Sequence, residues 1–178
     1  KEKVIKKDTL PEPANSYGNS KLLAENGIRV LNDDSFKVVI LRPPMIYGKG
    51  CKGNYQTLVK FALKLPVFPY VKNQRSMLYI DNLCEFVRLM IENNESGIFF
   101  PQNKEYVNTS DLVKMIAKAH GKKLCLIKGC TWFLKIMSLF TGLVNKAFGS
   151  LVYEKGLSEY KNEYQIISFT ESVEKIHS

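Results

Sequence analysis

The chain has 178 residues, of which 45% are hydrophobic and 24% charged, which is the composition of a soluble globular protein and excludes overall disorder. Its net charge of +9 suits an acidic partner, either a nucleotide diphosphate or an anionic surface. The basic residues are spread along the chain without the interleaved aromatic residues of a single-strand binder, so we expect no nucleic acid partner.

Cysteine and histidine usage bounds the chemistry further. The four cysteines are scattered, and neither histidine lies near a cysteine at a ligand-like spacing. We therefore expect no metal site, free thiols and a reducing, cytoplasmic compartment. The charged start of the chain carries no apolar run of the kind that marks a signal peptide.

The first predicted elements are a loop, a helix and a strand. Residues 1–15 are polar and contain two prolines, as surface loops do. A helix is predicted to begin at Asn15 or Ser16 and to continue to Leu31, with its aliphatic residues on one apolar side. The apolar run 38–41 then predicts a strand buried on both faces of a parallel sheet, which two prolines end.

Strand and helix patterns alternate along the rest of the chain, which indicates an α/β fold. The helices are predicted at 54–65, 81–91, 110–120 and 171–176, and the strands at 76–80, 97–100 and 123–127. The apolar stretch 131–148 is interrupted by Lys135 and Lys146. Its uninterrupted runs are too short to cross a bilayer, so we expect no membrane span and a helix that packs on the domain or on a partner.

Tyr17 and Lys21 are four residues apart near the start of the first predicted helix, which places both side chains on one face. A lysine ammonium close to a phenol favours the ionised phenol. Such a pair can exchange a proton with a sugar hydroxyl or ketone while hydride moves to or from a nicotinamide. The spacing alone also fits a surface tyrosine beside a solvated lysine.

Glycines 48, 50 and 53 have the G-x-G-x-x-G spacing of a dinucleotide-binding loop. Pro43 and Pro44 separate these glycines from the predicted strand, and no acidic residue ends a second strand roughly 20 residues later, as ribose recognition requires. We interpret this stretch as a flexible loop near the substrate.

The order of several motifs carries a more specific signal, and together they extend over nearly the whole chain. These motifs are SYGNSKLLAE, LRPPMIYGKG, NQRSMLYIDNL, AFGSLVYEKGLSEY and SFTESVEKI. In this order they resemble the extended short-chain dehydrogenase/reductase superfamily, and within it the nucleotide-sugar epimerases and reductases such as UDP-glucose 4-epimerase.

The resemblance implies the C-terminal part of a Rossmann-like, doubly wound parallel sheet together with a small α/β substrate-binding domain. Residues 1–50 would be the remnant of the Rossmann-like domain, comprising a loop, the catalytic helix and one strand. Residues 51–178 would be mainly the substrate-binding domain, with some segments returning to the sheet. The N-terminal dinucleotide-binding half, with its glycine-rich loop and catalytic Ser or Thr, is expected to be absent.

The implied function is an NAD- or NADP-dependent nucleotide-sugar 4-epimerase of polysaccharide biosynthesis that acts on a UDP-sugar as a homodimer. Tyr17 would exchange the proton at the sugar C4 oxygen, and Lys21 would also bind the nicotinamide ribose. The backbone at Pro44 would lie against the nicotinamide, Met45 would contact the substrate, and Arg75 would bind the diphosphate.

Two departures from the family pattern leave alternatives open. Met45 stands where many members carry a substrate-binding Asn, and the expected absence of the cofactor-binding half predicts that these residues alone are inactive. One alternative is therefore a 4-keto-sugar reductase of the same superfamily. The other is a non-catalytic domain that binds sugar nucleotides or another protein.

Overall fold

The computed structural model describes residues 3–129 and 149–177. Four parallel two-stranded ladders run through these residues, which confirms the α/β fold with parallel strands. The paired strands are β1 (Lys3–Ile5) with β8 (Leu151–Tyr153), β2 (Val39–Leu41) with β6 (Gly97–Phe99), β3 (Met45–Tyr47) with β5 (Met77–Tyr79), and β4 (Val67–Pro69) with β7 (Cys125–Ile127).

Five α-helices lie between or after these strands in the described ranges, close to the positions predicted from the sequence. They are α1 (Ser16–Arg29), α2 (Asn54–Lys64), α3 (Ile80–Glu92), α4 (Thr109–Ala119) and α5 (Phe169–His177). None of these helices has the length and hydropathy needed to cross a bilayer. The predicted helix at 131–148 lies outside the described residues.

The larger apolar core lies where α2 packs against α4. Val113 and Ile116 of α4 are fully buried in the same cluster as Leu58 and Ala62 of α2. Burying one side chain of this size contributes about 1.5–3 kcal/mol relative to leaving it exposed. The spacing of these residues at three and four positions explains why both segments are helical.

The chain before α5 is held by a buried polar side chain in addition to apolar contacts of Tyr164 and Ile167. Asn82 of α3 donates a hydrogen bond to the backbone oxygen of Ile167 (2.9 Å) and accepts one from its nitrogen (3.0 Å). The cap position of α3 is Tyr79, and Asp81 in its first turn pairs with Lys175 of α5 at 2.8 Å.

Helix α1 leaves its predicted apolar side largely exposed in the described part of the chain. No apolar residue of the helix is buried, and Leu23 and Ile28 are exposed. Among residues 3–129 and 149–177, the neighbouring strand β2 pairs only with β6, along one edge, and it buries Ile40 while Val39 and Leu41 stay partly exposed. The strand was therefore correctly located, but it is not covered on both faces here.

Candidate functional site

A cleft of about 760 Å³ lies between α1, strand β2 and the loop that precedes α1. Tyr17 and Lys21 line it from the helix, and Leu41 and Arg42 line it from the end of the strand. The carboxyl ends of parallel strands are where α/β folds place their ligands. This cleft is therefore the candidate active site.

The start of α1 is fixed by two local features. The side chain of Asn15 accepts a hydrogen bond from the backbone nitrogen of Gly18 at 2.8 Å, which satisfies one of the free donors of the first turn. A Cβ at Gly18 would lie 2.9 Å from the Cβ of Pro13. Glycine thus lets the preceding loop lie close against the helix and form one wall of the cleft, a role that the sequence analysis missed.

Tyr17 and Lys21 lie on the same face of α1, as their spacing predicted. The Lys21 ammonium is 5.6 Å from the centroid of the Tyr17 ring, and the Tyr17 side chain is 71% exposed. The phenol hydroxyl can therefore be reached by a ligand in the cleft, with a positive charge one helical turn away. This arrangement can exchange a proton with a bound alcohol or ketone.

An ion pair attaches α1 to the end of β2. The Arg42 guanidinium donates two hydrogen bonds to the Glu25 carboxylate, from Nη2 at 2.6 Å and from Nε at 3.0 Å. Both side chains are largely buried. Two parallel hydrogen bonds of this kind fix orientation as well as distance, so the pair holds the helix that carries Tyr17 against the strand. Glu25 was not identified from the sequence, because its partner lies 17 residues away.

The structure does not bring the other predicted site residues into the cleft lining. Pro44 follows the lining residue Pro43, and Met45 begins β3. Arg75 forms two backbone hydrogen bonds with Val107, and its Nη1 donates to the oxygen of Gly149 at 3.3 Å. Burial lowers the pKa of the Arg75 guanidinium, since it disfavours the charged form. The roles expected for these three residues stay predictions.

The glycine-rich loop has a structural explanation. Pro43 and Pro44 do separate these glycines from β2, but the unpredicted strand β3 directly precedes Gly48. A Cβ at Gly48 would lie 2.4 Å from Cγ2 of Ile80, and Gly53 has a φ of 106° immediately before α2. Gly50 has a φ of 77°, so close packing at Gly48 and a left-handed backbone at Gly50 and Gly53 account for glycine at all three positions.

Comparison with known proteins places these motifs in one family. The model of a family described as "RmlD substrate binding domain" matches residues 1–132. A UDP-glucose 4-epimerase of Vibrio cholerae is 30% identical over 148 residues, which are 78% of this chain and 45% of the relative. An N-acetyl-α-D-glucosaminyl-diphospho-ditrans,octacis-undecaprenol 4-epimerase of Escherichia coli O157:H7 is 28% identical over 120 residues, 64% of this chain and 36% of the relative. The chain thus spans less than half the length of these curated relatives.

Solved structures share the fold. The UDP-glucuronic acid 4-epimerase of Bacillus cereus, in complex with NAD, superimposes with a TM-score of 0.69 at 20% identity, covering 99% of this chain and 56% of that one. The dTDP-4-dehydrorhamnose reductase of Bacillus anthracis, in complex with NADP, gives a TM-score of 0.69 at 19% identity, covering 98% and 58%. At these identities the likeness establishes the Rossmann-like architecture and nothing finer.

Proposed function

The chain belongs to the RmlD substrate binding domain family of the extended short-chain dehydrogenases/reductases. On that basis we propose that it forms part of an NAD- or NADP-dependent nucleotide-sugar 4-epimerase. The single observation that carries this proposal is the Tyr17–Lys21 pair on one face of α1, open to the cleft beside β2. A UDP-sugar is the proposed substrate, as the name of the Vibrio cholerae relative suggests.

The cofactor requirement can be tested against the residues present. Tyr17, Lys21 and the backbone near Pro44 would hold the nicotinamide and its ribose. The cleft of about 760 Å³ is large enough for that end of the cofactor and a sugar. A bound nicotinamide supplies the hydride acceptor and donor. The residues that hold its phosphates are expected in a part of the fold that residues 3–129 and 149–177 do not include.

The proposed chemistry of this chain is proton exchange. The Tyr17 oxygen takes the proton from the sugar C4 hydroxyl as that carbon is oxidised, and returns a proton to the C4 oxygen when the carbon is reduced from its other face. Lys21 stabilises the negative charge that develops on the Tyr17 oxygen and donates a hydrogen bond to the ribose. The ion pair between Arg42 and Glu25 keeps the helix in place during both steps.

A second candidate concerns the carrier of the sugar. The Escherichia coli relative acts on N-acetylglucosamine linked through a diphosphate to a polyprenol. A lipid-linked sugar is therefore an alternative to a free nucleotide sugar at the same site. A 4-keto-sugar reductase is the alternative for the reaction, because Met45 replaces a residue that the family uses to contact its substrate.

The test uses the protein as its gene encodes it. The purified protein is incubated with NAD and, in separate reactions, UDP-glucose, UDP-N-acetylglucosamine and a polyprenyl-diphosphate-linked N-acetylglucosamine, and the C4 epimers are measured by proton NMR. Interconversion of either UDP-sugar supports the proposal. Conversion of the lipid-linked sugar alone would show that the substrate is carried on a polyprenyl diphosphate. Consumption of NADPH with a dTDP-4-keto sugar, without epimer exchange in any reaction, would show that the enzyme is a reductase and not an epimerase.

A further inference from the structure

Basic and acidic residues are unevenly distributed along the chain. Residues 35–80 and 112–153 together contain fifteen lysines and arginines and no aspartate or glutamate. A charge distribution of this kind creates a strong positive potential only if the fold brings the two stretches together.

The fold does bring them together. Helix α2 of the first stretch packs against α4, which continues into the second, and strand β4 of the first pairs with β7 of the second. Two hydrogen bonds join the stretches at the end of α2. The Cys125 nitrogen donates to the Pro66 oxygen at 3.1 Å, and the Lys122 ammonium donates to the Leu63 oxygen at 2.5 Å. The lysines near this junction are consequently neighbours in space.

The β4–β7 ladder presents apolar side chains to the outside at this junction. Side chains alternate along a strand, and the register pairs Val67 with Cys125 and Pro69 with Ile127. Phe68 points into the core, whereas Val67 is 46% and Ile127 42% exposed. Leu65, just before β4, is also exposed. We call this surface the basic–apolar end, and its exposed residues are Lys64, Leu65, Val67, Lys123, Cys125, Ile127 and Lys128.

We propose that the basic–apolar end docks on a bilayer surface that contains anionic lipids. Exposed aliphatic side chains flanked by lysines have the composition of surfaces that lie in the headgroup region. There the apolar groups leave water while the ammonium groups stay among the phosphates. Each lysine close to an anionic bilayer strengthens binding about fivefold. Neither of the two stretches contains an acidic residue that an anionic surface would repel.

Nucleic acid fits this surface less well than a membrane does. Binding to single strands uses aromatic side chains on which bases stack, and the aromatic residue of this ladder, Phe68, is buried. The cations at the basic–apolar end are lysines, which lack the forked geometry that arginine offers to bases and phosphates. Apolar groups such as Val67 and Ile127 gain nothing from a solvated phosphate backbone.

The experiment is co-sedimentation of the protein with vesicles of phosphatidylcholine alone or of phosphatidylcholine mixed with phosphatidylglycerol. We expect binding only to the mixed vesicles, falling as salt screens the charges. Lys123→Glu/Lys128→Glu should weaken the partition coefficient by about tenfold or more. Lys6→Glu/Lys7→Glu, which changes the net charge equally at the exposed turn after β1, should change it by less than about twofold.

A further variant, Val67→Ser/Ile127→Ser, should reduce the binding that survives at high salt. The proposal is overturned if the protein binds both vesicle types equally or neither, or if the two charge variants lose binding to the same extent. It is also overturned if Lys123→Glu/Lys128→Glu keeps its binding, which would assign attachment to another part of the chain. Salt-sensitive binding of a DNA duplex or single strand, without binding to vesicles, would show that the partner of this surface is nucleic acid and not a membrane. Circular dichroism and thermal unfolding establish that each variant is folded.

Discussion

The hydroxyl of Tyr47 lies 2.6 Å from the Oγ of Ser172, a residue 125 positions later in the chain. The same hydroxyl accepts a hydrogen bond from the side-chain nitrogen of Asn103 at 2.9 Å. Burial raises the pKa of Tyr47 to about 12, so the phenol stays neutral in all ordinary conditions. Tyr47 therefore links strand β3 to helix α5 and to the chain after β6, and its role is structural.

Tyr47→Phe should destabilise the protein by about 1–3 kcal/mol, because it leaves the buried Asn103 amide without its acceptor. Urea unfolding followed by circular dichroism measures the change. Tyr17→Phe is the matched control, since it removes a hydroxyl from a largely exposed ring and should cost less than about 0.5 kcal/mol. Equal costs for the two variants would show that the Tyr47 network contributes nothing.

Gly48→Ala should destabilise the fold by about 1–3 kcal/mol, because the added methyl group would overlap Ile80. Ile80 is β-branched and cannot easily rotate away.

Gly27→Ala is expected to have the opposite effect on stability. Gly27 lies within α1, and no atom lies within 4 Å of an added Cβ. That substitution should stabilise the protein by about 0.5–1 kcal/mol, since alanine loses less conformational entropy on folding. Thermal unfolding of both variants tests the pair, and a neutral Gly48→Ala would contradict the packing argument.

The two histidines form a hydrogen-bonded chain with a buried tyrosine. The His177 Nε2 lies 2.9 Å from the Tyr55 hydroxyl, and its Nδ1 lies 3.0 Å from the Nε2 of His120. Burial and the proximity of His120 lower the pKa of His177. A lowered pKa means that the unfolded chain binds the proton more tightly than the folded one. The stability that His177 contributes is thus present above its unfolded pKa, about 6.5, and is lost as the pH falls below it.

The corresponding prediction is that thermal stability declines between about pH 7 and pH 5, and that His177→Gln has a flatter profile over the same range. The variant cannot take up a proton at this position, so the difference between the two curves isolates the histidine. Identical slopes for the variant and the unaltered protein would place the acid sensitivity in other groups.

Local signals predicted the helices well, because each lies within one contiguous stretch. Asn15 as the cap of α1 and the periodic apolar residues of α4 are examples. Strands β1, β3, β4 and β8 were missed. The prediction of a loop over residues 1–15 is wrong at β1, which lies in a lysine-rich stretch, and the other three are short apolar runs without an alternating pattern. Long-range polar partners were missed too: nothing near Asn82 in the sequence indicates that it binds Ile167. The exposed apolar side of α1 shows a second limit of prediction from the sequence, because periodicity identifies an apolar face but not whether another part of the protein covers it.

The catalytic prediction concerns Tyr17 and Lys21 in the protein as its gene encodes it. Tyr17→Phe removes only the hydroxyl that would exchange the proton. A positioned acid–base group contributes about a hundred- to ten-thousandfold in rate, so kcat should fall by that order with little change in KM. Lys21→Met should lower kcat and also weaken cofactor binding, because Lys21 is assigned both the charge beside Tyr17 and the ribose contact.

The control for this pair is Tyr160→Phe, which removes a hydroxyl that bonds Glu95 and Asn93, and none of these three residues lines the cleft. It should leave turnover unchanged. Epimer exchange by NMR gives kcat and KM, and calorimetric titration with NAD gives the cofactor affinity. The separation between the variants is the decisive feature: Tyr17→Phe should keep its NAD affinity while Lys21→Met loses it. Near-normal turnover in Tyr17→Phe would remove this pair from the reaction, although the family and the fold would stand.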